Sequence, residues 1–380
     1  MTKIAYFGQN PGDAAVRRRI VALQQAGFHV TGFMPRRGEA GDPPCEIVDL
    51  GETADNAYVQ RIASIFRGAK LAGRQADVLR RSNLIIARNL DMLATAVLVR
   101  SRLGLAMPVI YECLDIHKKL TGSGAVAKGL RALERSLLKR TALVVLSSPA
   151  FEREHFARYY PGAYRSFLVE NRLIDGDAFP DRPVESNTPS PRGKLKIGWF
   201  GNLRCARSLA ILGALADRFP EQVEIVLRGY PAPGVFADFE GLLAPHANIT
   251  FHGRYRAPQD LAAIYGEVDL VWAGDWYEEG ANSLWLLPNR IYEGGYFAVP
   301  QLAPAGTETA RRIAAQAGGA ALQEPVEEAL ANLIAGLLQD PAPIAEWRAN
   351  LLSLPRETFV ETPETMQQMV AAARGTDRQS

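Results

Sequence analysis

The sequence predicts an α/β protein made of two doubly wound domains. Short β-branched runs alternate with longer helical patterns along the whole chain, which is typical of parallel sheets covered by helices. At 380 residues the chain is too long for one small core. A stretch rich in Pro, Ser, Asp and Gly, from Asp175 to Gly193, divides it near the middle, as expected of a linker.

Strands are predicted wherever a short apolar run is bounded by turn residues. In the first half these runs are Lys3–Phe7, His29–Phe33, Ile47–Leu50, Asn83–Ala87, Val109–Cys113, Ala142–Leu146 and Phe167–Val169. In the second half they are Leu195–Phe200, Glu224–Leu227, Ile249–Phe251, Leu270–Trp272 and Ala298–Leu302. We therefore expect one domain over residues 1–172, a linker over 173–194 and a second domain over 195–362. Ligands of such sheets bind beyond the carboxyl ends of the strands, and two facing domains can form one shared cleft.

Composition excludes several classes of protein. With 47% apolar and 22% charged residues, the chain is an ordinary globular sequence, and it contains no apolar run long enough to span a bilayer. A predicted strand follows the first residues directly, so we expect no signal peptide. Three scattered cysteines, Cys45, Cys113 and Cys205, suit a reducing cytosol and provide no metal-binding spacing.

Charge is unevenly distributed between the halves. Residues 1–172 contain 26 Lys and Arg against 15 Asp and Glu, whereas the remainder contains 17 against 26. The helical pattern from Tyr58 to Arg81 is both basic and amphipathic. Such a helix fits an anionic membrane surface or simply covers the sheet with a solvated face. The basic half lacks the aromatic-interleaved patch or recognition motif of a nucleic-acid-binding protein.

Two predicted strand-to-helix turns could hold an anion at a helix N-terminus. Gly8 opens the turn after the first strand, and Gly201-Asn202-Leu203-Arg204 follows the first strand of the second domain. Arg204 and Arg207 add guanidinium groups, which suit a diphosphate. The alternatives are ordinary turns and a surface arginine pair.

Titratable residues are concentrated at the end of the predicted strand Val109–Cys113. Glu112, Asp115 and His117 lie at or just beyond its carboxyl end. Each is a residue type that serves as a general base for a sugar hydroxyl. The alternative is a capping Asp and a loop His, but the cluster is denser than capping requires.

One carboxylate, Glu293, lies among apolar and aromatic residues in the segment Leu284–Pro300. The segment predicts a loop, a short helix that ends at glycine, and a buried strand. A buried carboxylate needs a partner, and the two hydroxyls of a nucleotide ribose provide one. The alternative is a solvated helix glutamate.

Five motifs of the second half, taken in order, resemble the donor domain of GT-B glycosyltransferases. They are Gly198-Trp199-Phe200-Gly201-Asn202, Val226-Leu227-Arg228-Gly229, Phe251-His252-Gly253, Val268-Asp269-Leu270-Val271-Trp272 and Pro288-Asn289-Arg290-Ile291-Tyr292-Glu293. The chain is most similar to the broad family 4-like bacterial group of exopolysaccharide and capsule biosynthesis. The resemblance implies the GT-B fold, with two Rossmann-like doubly wound domains facing a central cleft, the first for the acceptor and the second for a nucleotide sugar. It also implies that the final helix, Pro363 to Arg374, crosses back onto the first domain and is followed by a tail to residue 380.

The resemblance also implies roles for single residues. The glutamate matching Glu293 holds the ribose, and the helix N-terminus near Asn289 faces the diphosphate. Family members often carry an arginine and a lysine five residues apart, where this chain has Asn202 and Arg207. Arg207 therefore takes the lysine role, and Arg204 supplies the missing arginine. Gly8 and Arg228 complete the expected donor-binding set.

The stereochemistry of transfer does not follow from the resemblance. Trp285 stands where many family members have a glutamate that is associated with the transferred sugar in retaining enzymes. An inverting enzyme needs a base, for which Asp115 is the first candidate, followed by Glu112 and His117.

The leading hypothesis is a cytoplasmic glycosyltransferase bound peripherally to the inner face of the cell membrane. It would move a hexose from a nucleotide diphosphate sugar to a polyprenyl-diphosphate-linked oligosaccharide, with neither a cofactor nor a metal. The basic first domain would meet the anionic leaflet. The alternatives are a nucleotide-sugar 2-epimerase of the same fold and a non-enzymatic two-domain ligand-binding protein.

Overall fold

The computed structural model describes residues 1–36, 43–52, 58–176, 179–184, 193–280 and 282–375. Contacts divide the chain into two compact units. The N-terminal unit comprises Met1–Ile174 together with Glu361–Ser380, and the C-terminal unit comprises Asp175–Val360. Parts of the predicted linker (177–178 and 185–192) and of the predicted tail (376–380) lie outside the described residues.

A seven-stranded parallel sheet forms the centre of the N-terminal unit, in the order β3-β2-β1-β4-β5-β6-β7. Its strands are β1 (Lys3–Phe7), β2 (His29–Arg36), β3 (Glu46–Glu52), β4 (Leu84–Arg88), β5 (Val109–Cys113), β6 (Leu143–Leu146) and β7 (Ser166–Leu168). The strand order reverses direction between β1 and β4, so the carboxyl ends of these two strands border the switch point at which such sheets bind ligands.

Helices cover this sheet. They are α1 (Ala14–Gln25), α2 (Tyr58–Arg74), α3 (Ala76–Arg80), α4 (Asn89–Arg102), α5 (Lys118–Thr121), α6 (Ala125–Leu138), α7 (Pro149–Phe151), a π-helical turn (Glu152–Phe156), α8 (Ala157–Tyr159) and, from the end of the chain, α17 (Pro363–Arg374). The chain returns to this unit at Glu361, whose backbone N–H donates to Leu173 O at 2.8 Å. Met366, Met369 and Val370 of α17 then pack into the same core as Ile20 of α1.

The C-terminal unit has a six-stranded parallel sheet in the order β10-β9-β8-β11-β12-β13. Its strands are β8 (Leu195–Leu203), β9 (Val223–Pro231), β10 (Ile249–Phe251), β11 (Leu270–Trp272), β12 (Gln301–Pro304) and β13 (Gly319–Leu322). Here the switch point lies between β8 and β11.

The remaining helices belong to this second sheet. They are α9 (Ala206–Arg218), α10 (Phe239–Leu243), α11 (Leu261–Gly266), α12 (Asn282–Trp285), α13 (Asn289–Tyr296), α14 (Glu308–Gln316), α15 (Val326–Gln339), α16 (Ala342–Ser353) and a 3₁₀ turn (Arg356–Thr358). Trp199 and Trp272, from adjacent strands, lie in a core that α9 and α15 cover with Leu212 and Ile334.

The predicted α/β class with two parallel sheets is confirmed, and four of its twelve predicted strands have the observed bounds. Two whole elements differ from the prediction. β13 was not predicted, because Gly319-Ala320-Ala321-Leu322 has no β-branched residue. The long helix expected from Tyr58 to Arg81 is divided into α2 and α3 at Gln75, whose backbone is not helical (φ −101°, ψ 38°).

Within the described part of the chain, we find no helix that is both long and apolar enough to cross a membrane.

Candidate active site

Asp115 lies in the loop that follows β5, and two hydrogen bonds fix this loop. The Cys113 thiol donates to the backbone oxygen of Asp115 at 3.4 Å, and the Ser147 hydroxyl donates to Leu114 O at 3.1 Å. The Asp115 side chain is exposed. A fixed backbone and an accessible carboxylate are what a general base needs.

His117 is the N-cap of α5. Its Nδ1 accepts a hydrogen bond from the backbone N–H of Lys119 at 3.2 Å. In the neutral ring the proton is therefore on Nε2, which makes that nitrogen a donor. This tautomer suits His117 to binding an oxygen atom rather than to removing a proton.

Glu112 is enclosed in a network of buried charges. Its side chain is 1% exposed and accepts from Tyr6 Oη at 2.6 Å and from Arg19 Nε at 2.5 Å, with Arg88 Nε at 3.3 Å. Burial by itself would raise the pKa of Glu112, but the charges of Arg88 and Arg19 outweigh it and hold the pKa below its ordinary value. These contacts argue for a structural role and against the predicted role of reserve base.

The turn after β1 offers little to an anion. The carboxylate of Asp13, the N-cap of α1, accepts from the backbone N–H groups of Ala15 and Val16. These are the groups that a bound anion would have used. Gly8 is buried, and a Cβ at this position would meet Met34 Cε at 3.1 Å. The structure thus gives Gly8 a packing role, and its predicted contact with the donor stays a prediction.

A cavity of about 250 Å³ opens beside Asp115 in the N-terminal unit. Its polar lining comes from residues that follow the strands β1, β4 and β5, and its apolar lining comes from α2, α4, α5 and α6. The lining residues are Gln9, Ile62, Ile65, Asn89, Leu90, Asp91, Tyr111, Asp115, His117, Leu120, Leu130 and Leu133. The predicted base candidates Asp115 and His117 therefore face the same cavity.

In the C-terminal unit, β8 runs three residues further than expected. Gly201, Asn202 and Leu203 are not in a turn but pair with β9, where Gly201 is opposite Gly229. Both glycines have positive φ (105° and 128°), and a Cβ on Gly229 would lie 1.7 Å from Gly201 O. Only glycine permits this close approach of the two strands. Asn202 Oδ1, beside it, is buried and makes no hydrogen bond with a described residue.

Arg204 lies directly after β8 and is held by Asp275, which follows β11. Its Nε and Nη2 lie 3.0 and 2.9 Å from Asp275 Oδ2, and its guanidinium carbon lies 5.1 Å from the centre of the Tyr277 ring. Asp275 is buried, whereas the Arg204 side chain is 32% exposed. The pair therefore sits at the switch point of the sheet with its guanidinium accessible, as a diphosphate site requires.

Arg207, on the first turn of α9, is surrounded by carboxylates. Glu324 binds its Nη2 at 2.8 Å, while Glu279 and Glu327 lie 3.9 Å from the guanidinium. The group also stacks on the Trp276 ring at 4.4 Å. A diphosphate at Arg207 would have to compete with these glutamates, a condition that the sequence did not reveal.

Arg228 and Asn289, two further predicted donor-binding residues of this unit, differ in their surroundings. Arg228 forms a two-pronged pair with Glu267, at 2.6 Å for Nε and 2.9 Å for Nη2. Asn289 is the first residue of α13 and is half-buried at the helix N-terminus, after Pro288. The helix start near Asn289 matches the prediction, whereas the end does not, because α13 continues through two glycines to Tyr296.

Glu293 is 3% exposed, so the alternative of a solvated glutamate is wrong. Tyr265 Oη donates to its Oε2 at 2.9 Å. Burial and the charge of Glu293 raise the pKa of Tyr265 well above its ordinary value, which keeps that donor protonated. Since the protein itself supplies a partner, the burial of Glu293 does not by itself require a ligand. The ribose role therefore depends on the family resemblance.

Sequence reasoning missed Asp275. The only signal was its place, three residues after the buried run Leu270–Trp272, where a parallel sheet presents ligand-binding side chains. No group of three His, Cys, Asp or Glu residues suited to a metal ion occurs among the residues that the structure describes.

Comparison with known proteins places the chain in a family. The succinoglycan biosynthesis protein ExoL of Rhizobium meliloti (strain 1021) is 42% identical over 343 residues, which cover 89% of this chain and 85% of ExoL. No protein-family model matches the sequence.

Solved structures agree on the fold. Sucrose-phosphate synthase from Thermosynechococcus elongatus superposes with a TM-score of 0.74 at 16% identity over 99% of both chains. HepE of Anabaena, solved in complex with UDP-glucose, gives 0.68 at 18% identity over 99% of this chain and 100% of its own. Two parallel sheets with this topology and the close kinship to ExoL lead to one conclusion: the chain belongs to the ExoL family and has the GT-B fold.

Proposed function

We propose that this protein is a glycosyltransferase that moves a hexose from a nucleotide diphosphate sugar to a lipid-linked oligosaccharide, as one step in the assembly of an exopolysaccharide. The observation that carries the proposal is the 42% identity to ExoL, a succinoglycan biosynthesis protein, over 89% of the chain. The likeness to HepE, which was solved with UDP-glucose, makes that sugar the first donor to test.

The donor half of the proposal rests on the C-terminal unit. Arg204 is accessible and oriented by Asp275, so it would neutralise the diphosphate as the bond to the anomeric carbon breaks. Asn202 Oδ1, which lacks a hydrogen-bond donor among the described residues, would accept from a hydroxyl of the donor. Glu293 would accept hydrogen bonds from the ribose hydroxyls. These bonds would either replace the hydrogen bond from Tyr265 or be added to it.

The acceptor half rests on Asp115. We propose an inverting transfer in which Asp115 takes the proton of the acceptor hydroxyl while the hydroxyl oxygen attacks the anomeric carbon. The nucleotide diphosphate leaves with the bonding electron pair. Trp285 stands where retaining relatives often have a glutamate, and its indole cannot serve as a carboxylate. No metal is needed for these steps, because arginine supplies the positive charge.

Membrane association is part of the same proposal. Residues 1–172 contain 26 Lys and Arg against 15 Asp and Glu, so this unit would be attracted to the anionic inner leaflet. We therefore propose a cytoplasmic enzyme bound peripherally at the membrane surface, where lipid-linked acceptors are found.

The test is nucleotide release in the presence and absence of acceptor. Purified protein is incubated with UDP-glucose, GDP-mannose or dTDP-glucose, together with lipid-linked oligosaccharides from a strain blocked at successive steps of exopolysaccharide assembly. Transfer predicts release of the nucleoside diphosphate only when one of these acceptors is present, with an inverted anomeric product and no effect of EDTA. Interconversion of nucleotide sugars without any acceptor would instead identify an epimerase and overturn the proposal.

A further inference from the structure

The cavity beside Asp115 has an apolar side that transfer of a sugar does not explain. Six aliphatic residues line it: Ile62, Ile65, Leu90, Leu120, Leu130 and Leu133. They come from four helices, with α2 and α6 contributing two residues each. We call these residues the aliphatic wall. A glycan bound here would leave its hydroxyl groups facing alkyl side chains, at a cost in lost hydrogen bonds.

The aliphatic wall is continuous with the surface of the unit. Ile62 is 56% exposed and Leu133 is 41% exposed, and their helices carry two more exposed apolar residues, Phe66 at 52% and Val126 at 59%. Phe66 follows Ile62 by four residues and Val126 precedes Leu133 by seven, so each pair shares a helix face. Four large apolar side chains exposed on these two helices indicate a surface that meets an apolar partner.

Cationic residues lie on the same two helices. α2 carries Arg67, Lys70 and Arg74, and α6 carries Lys128, Arg131 and Arg135. A surface with both apolar and cationic residues is better suited to binding an anionic lipid layer than to binding a second protein.

We propose that the aliphatic wall binds a segment of the isoprenoid chain of the lipid-linked acceptor as the chain leaves the bilayer. The inference rests on the proposed function and adds to it a place for the lipid. At about 250 Å³ the cavity is smaller than the pockets of about 300–1,000 Å³ that enclose whole small ligands. It therefore takes only part of a long chain. The polar lining near Asp115 and His117 is left for the head of the acceptor.

Direct binding of farnesyl diphosphate tests this placement. Isothermal titration of the full-length protein, below the critical micelle concentration of the probe, is compared with titration of inorganic diphosphate. We expect the farnesyl compound to bind at least about tenfold more tightly. The substitutions Ile62→Asp and Leu133→Asp should each remove most of this difference, because a carboxylate in the aliphatic wall opposes a hydrocarbon chain.

Matched controls are available on the same two helices. Phe66→Asp and Val126→Asp introduce the same charge at exposed apolar positions that do not line the cavity. They should leave farnesyl diphosphate affinity within about twofold of the wild type. All four positions are substantially exposed, so an unchanged Tm confirms that each variant is folded.

Two results would overturn the inference. One is equal affinity for farnesyl diphosphate and inorganic diphosphate, and the other is an equal loss of affinity in the wall variants and in the control variants. A failure of the proposed function looks different: the wild type would transfer no hexose to any lipid-linked acceptor, whatever it binds. If instead the wild type transfers hexose to a lipid-linked acceptor but the wall variants bind farnesyl diphosphate as tightly as the wild type, only the place of the lipid is wrong.

Discussion

Arg19 and Arg88 in the N-terminal unit and Arg204 and Arg207 in the C-terminal unit all pair with carboxylates, but their surroundings differ. The side chains of Arg19, Arg88 and Glu112 are 5% exposed or less. Arg204 and Arg207 are 32% and 35% exposed, and each rests on an aromatic ring.

The difference shows which charged side chains a ligand can bind. A buried pair has lost its hydration, so removal of one partner leaves a charge that nothing else can compensate. A half-exposed pair is worth little, because water competes for both partners. A diphosphate can therefore replace a carboxylate at Arg207, whereas no substrate can reach Glu112. The predictions below test this contrast, from the largest expected effect to the smallest.

Asp115→Asn should have the largest effect, since Asp115 is an accessible carboxylate, in contrast to Glu112 in its network of buried charges. The amide cannot accept the proton of the acceptor hydroxyl, so kcat should fall by about 10²–10⁴-fold, while Tm and the Kd for UDP stay unchanged. Steady-state kinetics with the lipid-linked acceptor measure this. His117→Gln is the control, with a smaller loss expected. A normal kcat in the Asp115 variant would remove it from the mechanism.

Glu112→Gln should destabilise the protein by about 3–5 kcal/mol, because Arg19 and Arg88 lose their buried counter-charge. Urea unfolding followed by circular dichroism measures the free energy. The pKa of Glu112 is lowered on folding from an ordinary value of 4.5. The contribution of ionised Glu112 to the free energy of unfolding is thus fully present above about pH 4.5. It is lost as the pH falls through the lower pKa of the folded state.

The pH profile supplies the control for Glu112. Wild-type stability should fall as the pH drops below 4.5, and the Gln variant should lose part of this slope. A Gln variant as stable as the wild type at pH 7 would mean that the network is not closed in solution.

Asp275→Asn should weaken nucleotide binding by roughly tenfold, because it removes the anion that orients Arg204 through a charge-assisted hydrogen bond. The Kd for UDP, measured by titration calorimetry, should rise, and the Kd for uridine, which lacks the diphosphate, should not. An equal change for both ligands would show a general disturbance of the sheet edge and not a loss of diphosphate binding.

Glu324→Gln should have the smallest effect and the opposite sign. The Arg207–Glu324 pair is half-exposed, so its loss costs little stability. If Arg207 holds the diphosphate, freeing it from Glu324 should tighten UDP binding severalfold. Arg207→Ala should weaken binding in the same titration. Unchanged affinity in both variants would assign Arg207 to the structure alone.

Much of the fold could be predicted because the relevant signal is local. β1, β5, β10 and β11 have the predicted bounds, since each is a short apolar run with a clear boundary. β13 was missed because three of its four residues are glycine or alanine, and it is held by pairing with β12. Gly294 and Gly295 were expected to end a helix, but α13 continues through them; a Cβ on Gly295 would lie 2.1 Å from the Phe359 ring. Close packing thus explains a glycine that local propensity could not.

The candidate site divides in the same way. Asp115 could be chosen as a candidate base because its residue type and its place after a strand are both visible in the sequence. Glu112 looked equally suitable, since no local feature shows that Arg19 and Arg88 converge on it from α1 and β4. Asp275 is 71 residues from Arg204, and only the sheet order that places β8 beside β11 brings them together.

The sequence by itself determined the α/β class, the charge asymmetry and the residue types at the strand ends, because periodicity and composition are properties of neighbouring residues. Tertiary structure decided which of those charges are enclosed and which are accessible. Whether a charge is enclosed depends on its burial and on partners that are far away in the chain. Burial also sets the desolvation cost of each charge.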